Sequence, residues 1–334
     1  MKKIFALILA LVLVFSLSVV AFAADDTYED MEEITISKTY TANYGINPAE
    51  TFEFSDFEEV EILENDAAEF PDDLPTITSI SYNEGEADDE GVTKTATISL
   101  PEYTSVGVYV YSFSEVAGNS AGVTYNDEDL YLVVTVIEQE GKVRVAAVHC
   151  EGSYDAGTYG EEPKIDEFEN TYDSGDLSVT KTVTGLFGDK TKEFTITVTL
   201  TAPEGKDVNS TISYTLPGET DPTTATFTNG VAEIELALKD GDTVTFTNIP
   251  AGVTYTVVED DYTGEDGYDD PEGEVEEATE ITISTETVVE IINNKDGNID
   301  TGISLDSLPY ILMGIVALFA VAALILNKRR NAAY

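Results

Sequence analysis

The chain has 334 residues, and 65 Asp and Glu against 16 Lys and Arg give a formal net charge of −49, which excludes nucleic acid as a partner. A hydrophobic content of 42% excludes a disordered acidic tail, since this chain can bury a core and carry its charge outside. One Cys (Cys150), one His (His149) and no Trp exclude a disulfide framework, a Cys/His zinc cluster and a choice of catalytic histidine, so neither metal nor cofactor is expected.

The first element is a leader. Lys2-Lys3 precedes an apolar run from Ile4 to Phe15, and Ala21-Phe22-Ala23 supplies small residues ahead of Ala24, so residues 1–23 read as a signal peptide cut after Ala23. Beyond it the hydrophobic period is two. Strands are predicted at Ile34 to Tyr40, Thr51 to Phe57, Tyr109 to Phe113, Leu130 to Ile137 and Val143 to Val148. Others are predicted at Phe194 to Leu200, Val231 to Leu238 and Thr243 to Thr247. Clusters such as Asn83-Glu84-Gly85, Asp240-Gly241 and Pro250-Ala251-Gly252 punctuate them. No soluble helical run appears, which predicts an all-β chain built from Ig-like antiparallel sandwiches.

An internal repeat predicts two of them in tandem. Ile36-Ser37-Lys38-Thr39-Tyr40-Thr41 aligns with Val179-Thr180-Lys181-Thr182-Val183-Thr184, each an alternating strand with a Lys on its apolar face. Downstream, Tyr109 to Glu115 aligns with Val253 to Glu259, and the Glu again shares parity with apolar residues. The Lys-to-Glu separations are 77 and 78 residues. Each unit closes on a strand with an Asn in phase with apolar neighbours, Asn170 after Phe168 and Asn293 after Val289 and Ile291; that parity favours Asn293 over Asn294. The division is expected to give domains 24–174 and 175–297, joined near Asp173-Ser174-Gly175-Asp176.

An inward-facing Lys, Glu and Asn in each sandwich calls for a reason, because unpaired charge in a core costs several kcal/mol. Burial lowers the pKa of a Lys and raises that of a Glu, leaving a neutral amine able to attack the Asn amide while the protonated carboxyl donates to the amide oxygen and shuttles protons as ammonia departs. Lys38, Glu115 and Asn170, and Lys181, Glu259 and Asn293, are therefore the candidate trios for Lys-Asn isopeptide bonds. The plainer alternative is a snorkelling or ion-paired Lys and an Asn in a strand-end turn.

Lys38-Thr39, Val106 to Tyr111 leading to Glu115, and Glu167-Phe168-Glu169-Asn170-Thr171-Tyr172 resemble the streptococcal pilin isopeptide-linkage domain. Val179-Thr180-Lys181, Ile249-Pro250-Ala251-Gly252, Tyr255 to Glu259 and Ile291 to Lys295 are similar to the related C-terminal pilin domain. The resemblance implies self-crosslinked sandwiches in a backbone pilin or wall-anchored stalk, and a candidate inter-subunit lysine in Lys164, which follows Pro163.

The last element, residues 298–334, begins with Ile299-Asp300-Thr301-Gly302 and continues through an apolar run from Leu308 to Leu326, long enough for a membrane helix, into Asn327-Lys328-Arg329-Arg330. This order resembles the sorting signal of Gram-positive surface proteins, in which a sortase cuts between Thr and Gly, here Thr301 and Gly302; the usual Pro is absent. Sortase, a cell-wall peptidoglycan precursor, other pilin subunits and the membrane are the implied partners. The chain is thus expected at the cell surface, anchored to wall or membrane, as a structural subunit and not an enzyme on external substrates. The alternative is an adhesin, with a ligand face in the loop-rich stretches from Ala67 to Asn83 and Ser112 to Asp127. The acidic run from Glu259 to Glu277 lacks EF-hand spacing and reads as a solvated loop.

Overall fold

The computed structural model describes residues 30–155, 164–165, 167–297 and 313. The leader, residues 308–326 as a span and the Thr301-Gly302 pair lie outside them. The first half of the described chain forms β1 (Glu33–Ala42), β2 (Glu50–Phe54), β3 (Glu58–Leu63), β4 (Thr76–Ile77), β5 (Ile80–Tyr82), β6 (Val92–Ser99), β7 (Gly107–Val116), β8 (Val123–Thr124), β9 (Asp129–Gln139), β10 (Lys142–Glu151) and β11 (Glu167–Tyr172). The second half forms β12 (Ser174–Thr184), β13 (Phe194–Thr201), β14 (Ser213–Tyr214), β15 (Thr223–Thr224), β16 (Val231–Leu238), β17 (Thr243–Pro250), β18 (Thr254–Glu259), β19 (Val275–Glu280) and β20 (Glu286–Asn294).

These strands make two sandwiches. In the first, a sheet ordered β4-β6-β1-β11-β8 faces one ordered β10-β9-β7-β2-β5, with β3 also paired to β7. In the second, β15-β14-β17-β12-β20 faces β16-β13-β18-β19. The two-residue period explains which face is buried: Phe194, Ile196, Val198 and Leu200 of β13 point inward, and the Thr residues between them point outward. The first core is aromatic, with Tyr40, Phe52, Tyr109, Tyr111 and Phe168 out of water, whereas the second is mainly aliphatic. Each such large side chain contributes about 1.5–3 kcal/mol of burial.

Three features differ from the sequence expectations. The sheets are not wholly antiparallel, since β1 runs parallel to β11 and β12 parallel to β20. The stretch from Thr51 to Phe57 is not one strand; β2 ends at Phe54 and β3 follows, its exposed Glu58, Glu59 and Glu61 having hidden the pattern. Between the halves there is no loop, for β11 and β12 are separated by Asp173 alone.

The joint is tied on both sides of that residue. Ser174 Oγ donates to the Tyr44 carbonyl at 2.8 Å, and Tyr44 Oη donates to Asp176 Oδ2 at 2.9 Å. Across from them, Ala121 N–H donates to the Asp207 carbonyl at 2.8 Å, and Ala121 is buried in the second core. Gly45 permits the close approach: its φ of +82° suits glycine, and a Cβ there would collide with Ser174 Oγ.

Candidate functional site

On β1 the residues Ile36, Lys38 and Tyr40 share the inward face, so period-two alternation carries the Lys into the core with its apolar neighbours. Lys181 takes the same position between Val179 and Val183 on β12. Both lysines are fully buried. In the parallel register Lys38 sits opposite Phe168 and Lys181 opposite Ile291, so Asn170 and Asn293 each lie two residues past their Lys partner, on the same face. Glu115 comes from β7 and Glu259 from β18, each in the sheet that faces the Lys. Two adjacent strands thus bring the amine and the amide together, and the opposite sheet brings the carboxylate.

In the first sandwich one carboxylate engages both partners. Lys38 Nζ donates to Glu115 Oε2 at 2.6 Å, and Asn170 Nδ2 donates to Glu115 Oε1 at 2.5 Å. Asn170 Oδ1 accepts the backbone N–H of Asn126 at 2.8 Å, so the amide oxygen meets a main-chain donor and not the Glu115 carboxyl that the sequence pointed to; Glu115 faces the amide nitrogen instead. Phe52 lies beside the amine, with Nζ 4.6 Å from its ring centroid. Burial pulls the Lys38 pKa down to about 8, against the opposing pull of the Glu115 charge.

The second site has the same members and different contacts. Lys181 Nζ contacts Asn293 Oδ1 and the Ile291 carbonyl, lies 3.0 Å from Glu259 Oε1, and stands 4.5 Å from the Phe194 ring centroid. The Lys181–Glu259 approach is an ion pair by distance but lacks hydrogen-bond geometry. Both Glu259 oxygens and Asn293 Nδ2 therefore have no hydrogen-bond partner among the described residues. Burial lowers the Lys181 pKa and raises that of Glu259, so each is biased toward its neutral form. Asn294 points the other way, accepting from Thr184 Oγ1 and donating to Asp269 Oδ2, while Asn293 is fully buried.

All six internal candidates thus fall into two clusters, while Thr301 and Gly302 lie outside the described residues. The sequence reading missed Phe52 and Asn126; Phe52 carried a visible signal in its parity with Phe54, but a backbone N–H leaves none. The acidic run from Glu259 to Glu277 is tied to basic residues: Lys192 Nζ pairs with Asp266 Oδ1 at 3.0 Å, and Lys295 Nζ donates to the Asp266 carbonyl. Cys150 is buried on β10, and Lys164 is exposed, its backbone forming an isolated antiparallel β-bridge with Glu151.

Chemically, each cluster holds a desolvated amine, a primary amide and a carboxyl group that can pass protons between them. A family model described as a Spy0128-like isopeptide containing domain matches residues 34–173, and a domain of unknown function, DUF7601, matches residues 175–295. A pilin from Streptococcus pyogenes serotype M1 is 30% identical over 274 residues, covering 77% of each chain. The crystal structure of a glutamate-to-alanine variant of the major pilin from Streptococcus pyogenes superposes with a TM-score of 0.50 at 27% identity, covering 80% of this chain and 99% of that one. The pilus tip adhesin Cpa from the same organism is 33% identical over 134 residues, which is 39% of this chain and 18% of the adhesin.

Proposed function

This chain belongs to the streptococcal pilin family, and from that premise we propose that it is a structural subunit of a Gram-positive cell surface, made rigid by two self-formed Lys-Asn isopeptide bonds. The observation that carries the reading is the convergence of Lys38 Nζ and Asn170 Nδ2 on the two oxygens of one buried carboxylate, Glu115. In that arrangement the neutral Lys38 amine attacks Asn170 Cγ, and the Cγ–Nδ2 bond breaks. Glu115 takes the proton from Nζ and delivers one to Nδ2, so that ammonia leaves and a secondary amide remains. The same reaction joins Lys181 to Asn293 with Glu259 as the shuttle. In each sandwich two ionisable groups that burial disfavours are reduced to one carboxyl and a neutral amide.

The boundary between 24–174 and 175–297 rests on the paired sheets and on family matches that meet at the same place. Export by residues 1–23, cleavage by a sortase between Thr301 and Gly302, transfer to a peptidoglycan precursor and retention by the 308–326 helix complete the proposal. So does linkage to other pilin subunits. The chain acts on itself and not on an external substrate.

Intact-mass measurement on the segment from Ala24 to Gly297, which holds every strand described, tests the crosslinks. The expected mass is two ammonia molecules below the sequence mass, with branched tryptic peptides joining Lys38 to Asn170 and Lys181 to Asn293. A folded sample at full sequence mass overturns the reading. On producing cells, SDS-resistant ladders distinguish a polymerising subunit from a single wall-linked adhesin or stalk.

A further inference from the structure

Asn170 is held by two contacts of opposite kind. Its Nδ2 donates to Glu115, and its Oδ1 accepts the Asn126 backbone N–H at 2.8 Å. A backbone N–H can only donate, so this contact identifies which amide atom is oxygen and fixes the plane of the group. The Asn126 N–H is itself held in place. It sits in the turn after β8, where Asn126 Oδ1 accepts the Glu128 N–H at 2.9 Å, and Tyr125 just before it reaches Glu50 through its hydroxyl. A donor fixed by the backbone needs no reorganisation when charge appears on its acceptor.

We propose that the Asn126 backbone N–H is the oxyanion donor for crosslinking in the first sandwich, a catalytic group outside the Lys-Glu-Asn trio. The inference rests on the proposed isopeptide reaction. When Lys38 Nζ adds to Asn170 Cγ, the C=O π pair moves onto Oδ1, and the negative charge develops on the atom that already faces Asn126. Collapse of that intermediate re-forms the C=O bond and expels Nδ2 as ammonia, protonated through Glu115. Glu115 thus serves the two nitrogens while Asn126 serves the oxygen. The second sandwich lacks this arrangement, since among the described residues Asn293 Oδ1 meets only Lys181 Nζ. The second site therefore serves as an internal clock within the same molecule.

The test follows both bonds during cell-free synthesis of the Ala24–Gly297 chain, with acid-quenched samples read by intact mass and peptide mapping. Asn126→Pro removes the N–H and leaves Lys38, Glu115 and Asn170 in place. The Lys38–Asn170 bond should then form on the order of 100-fold more slowly, with the Lys181–Asn293 bond keeping its wild-type rate. Asn126→Ala retains the N–H and loses only the Oδ1–Glu128 contact that helps to orient it, so it should slow the first bond far less than Asn126→Pro does. An unchanged first-bond rate in a folded Asn126→Pro chain overturns the proposal. Should that variant fail to fold, amide exchange supplies the evidence: the Asn126 N–H should be protected in bond-free Glu115→Ala and lose protection in Asn170→Ala. Equal exchange in the two overturns the proposal. Absence of ammonia loss in the wild type counts against the isopeptide reading itself and is a separate result.

Discussion

Asn248 and Ile46 exchange two hydrogen bonds across the joint between the sandwiches: the Ile46 N–H donates to Asn248 Oδ1 and Asn248 Nδ2 donates to the Ile46 carbonyl, both at 2.9 Å. The side chain imitates a strand edge and pairs with a backbone 202 residues away. Its own backbone lies in the left-handed region at φ 65°, and its N–H donates to Asp176 Oδ1 at 2.9 Å. Tyr172 Oη adds a third bond to Asn248 Oδ1 at 3.2 Å. With only Asp173 between β11 and β12, these bonds resist bending of the joint.

Replacing Asn248 with Ala should cost about 1–3 kcal/mol through the bonds lost, and up to about 1 kcal/mol more because Ala lacks the polar side chain that lets Asn tolerate the left-handed region. Asn248→Gly keeps the backbone relaxed and isolates the first part. Calorimetry should show one unfolding transition in the parent split into two in Asn248→Ala, and NMR relaxation should show the halves tumbling separately. Unchanged coupling in both assays would mean that the joint does not depend on this clasp.

A second prediction concerns pH. In Asn170→Ala the first bond cannot form, and Lys38 stays buried with a folded pKa of about 8, against 10.5 for a lysine in water. Between those values the unfolded chain binds more protons, so stability of this variant should rise with pH from about 8 to about 10.5, by roughly 1–3 kcal/mol. In the wild type the same depression should make bond formation accelerate as pH rises through about 8. Urea titrations of the variant at several pH values, and timed mass spectra of the wild type, read the two effects. A flat profile in the variant removes the buried-amine premise.

The parts of this site that were legible in the sequence are those set by alternation. Lys38 shares parity with Ile36 and Tyr40, so a two-residue period alone turns it inward, and the same argument holds for Lys181 and for Asn293 over Asn294. Elements whose side chains face water carried no such signal. The residues of β19, Val275 to Glu280, are exposed or half-buried and strongly acidic, and their strand state comes from backbone pairing to β18. The Asp173–Asp176 stretch looked like a linker because Asp, Ser and Gly favour turns, yet Ser174 and Gly175 are buried and extend β12. Which amide oxygen meets which donor depends on contacts between distant segments, beyond the reach of local pattern.

A third prediction separates the ion pair from the covalent bond in the second sandwich. Lys181→Met abolishes the bond and leaves Glu259 buried without its cation. Beyond the crosslink, that should cost about 3–5 kcal/mol. Because burial raises the Glu259 pKa, the variant should also lose stability as pH rises above 4.5, the value of a glutamate in water. Lys181→Met with Glu259→Leu removes both charges and should recover most of the extra loss while remaining unbonded. Denaturant midpoints, with mass spectrometry confirming the missing bond, compare the two; equal stability would show that the stranded carboxylate carries no penalty.

With the two proposed amide bonds formed, the strand connections would define a covalent path for force. Load applied at Asp30 and Gly297 enters β1, crosses to β11 at Lys38–Asn170, passes through Asp173 into β12, and crosses to β20 at Lys181–Asn293. Every other strand lies inside one of the two loops that those bonds close, so none can be drawn out while both are intact. The equilibrium effect of closing loops of this size is about 4–5 kcal/mol each, and the mechanical effect is larger because the first and last strands cannot separate. In single-molecule pulling through the two ends, the wild-type chain should extend without an unfolding step up to rupture of the attachment. Glu115→Ala should release the 38–170 loop, and Glu259→Ala the 181–293 loop. The first should appear as one step of about 450 Å and the second as one of about 380 Å, at roughly 3.5 Å per residue less the short folded separation of the loop ends. The double variant should show both. A wild-type chain that gives either step would place the load on the sheets' hydrogen bonds and not on the amides, and the rigid-subunit reading would fail with it.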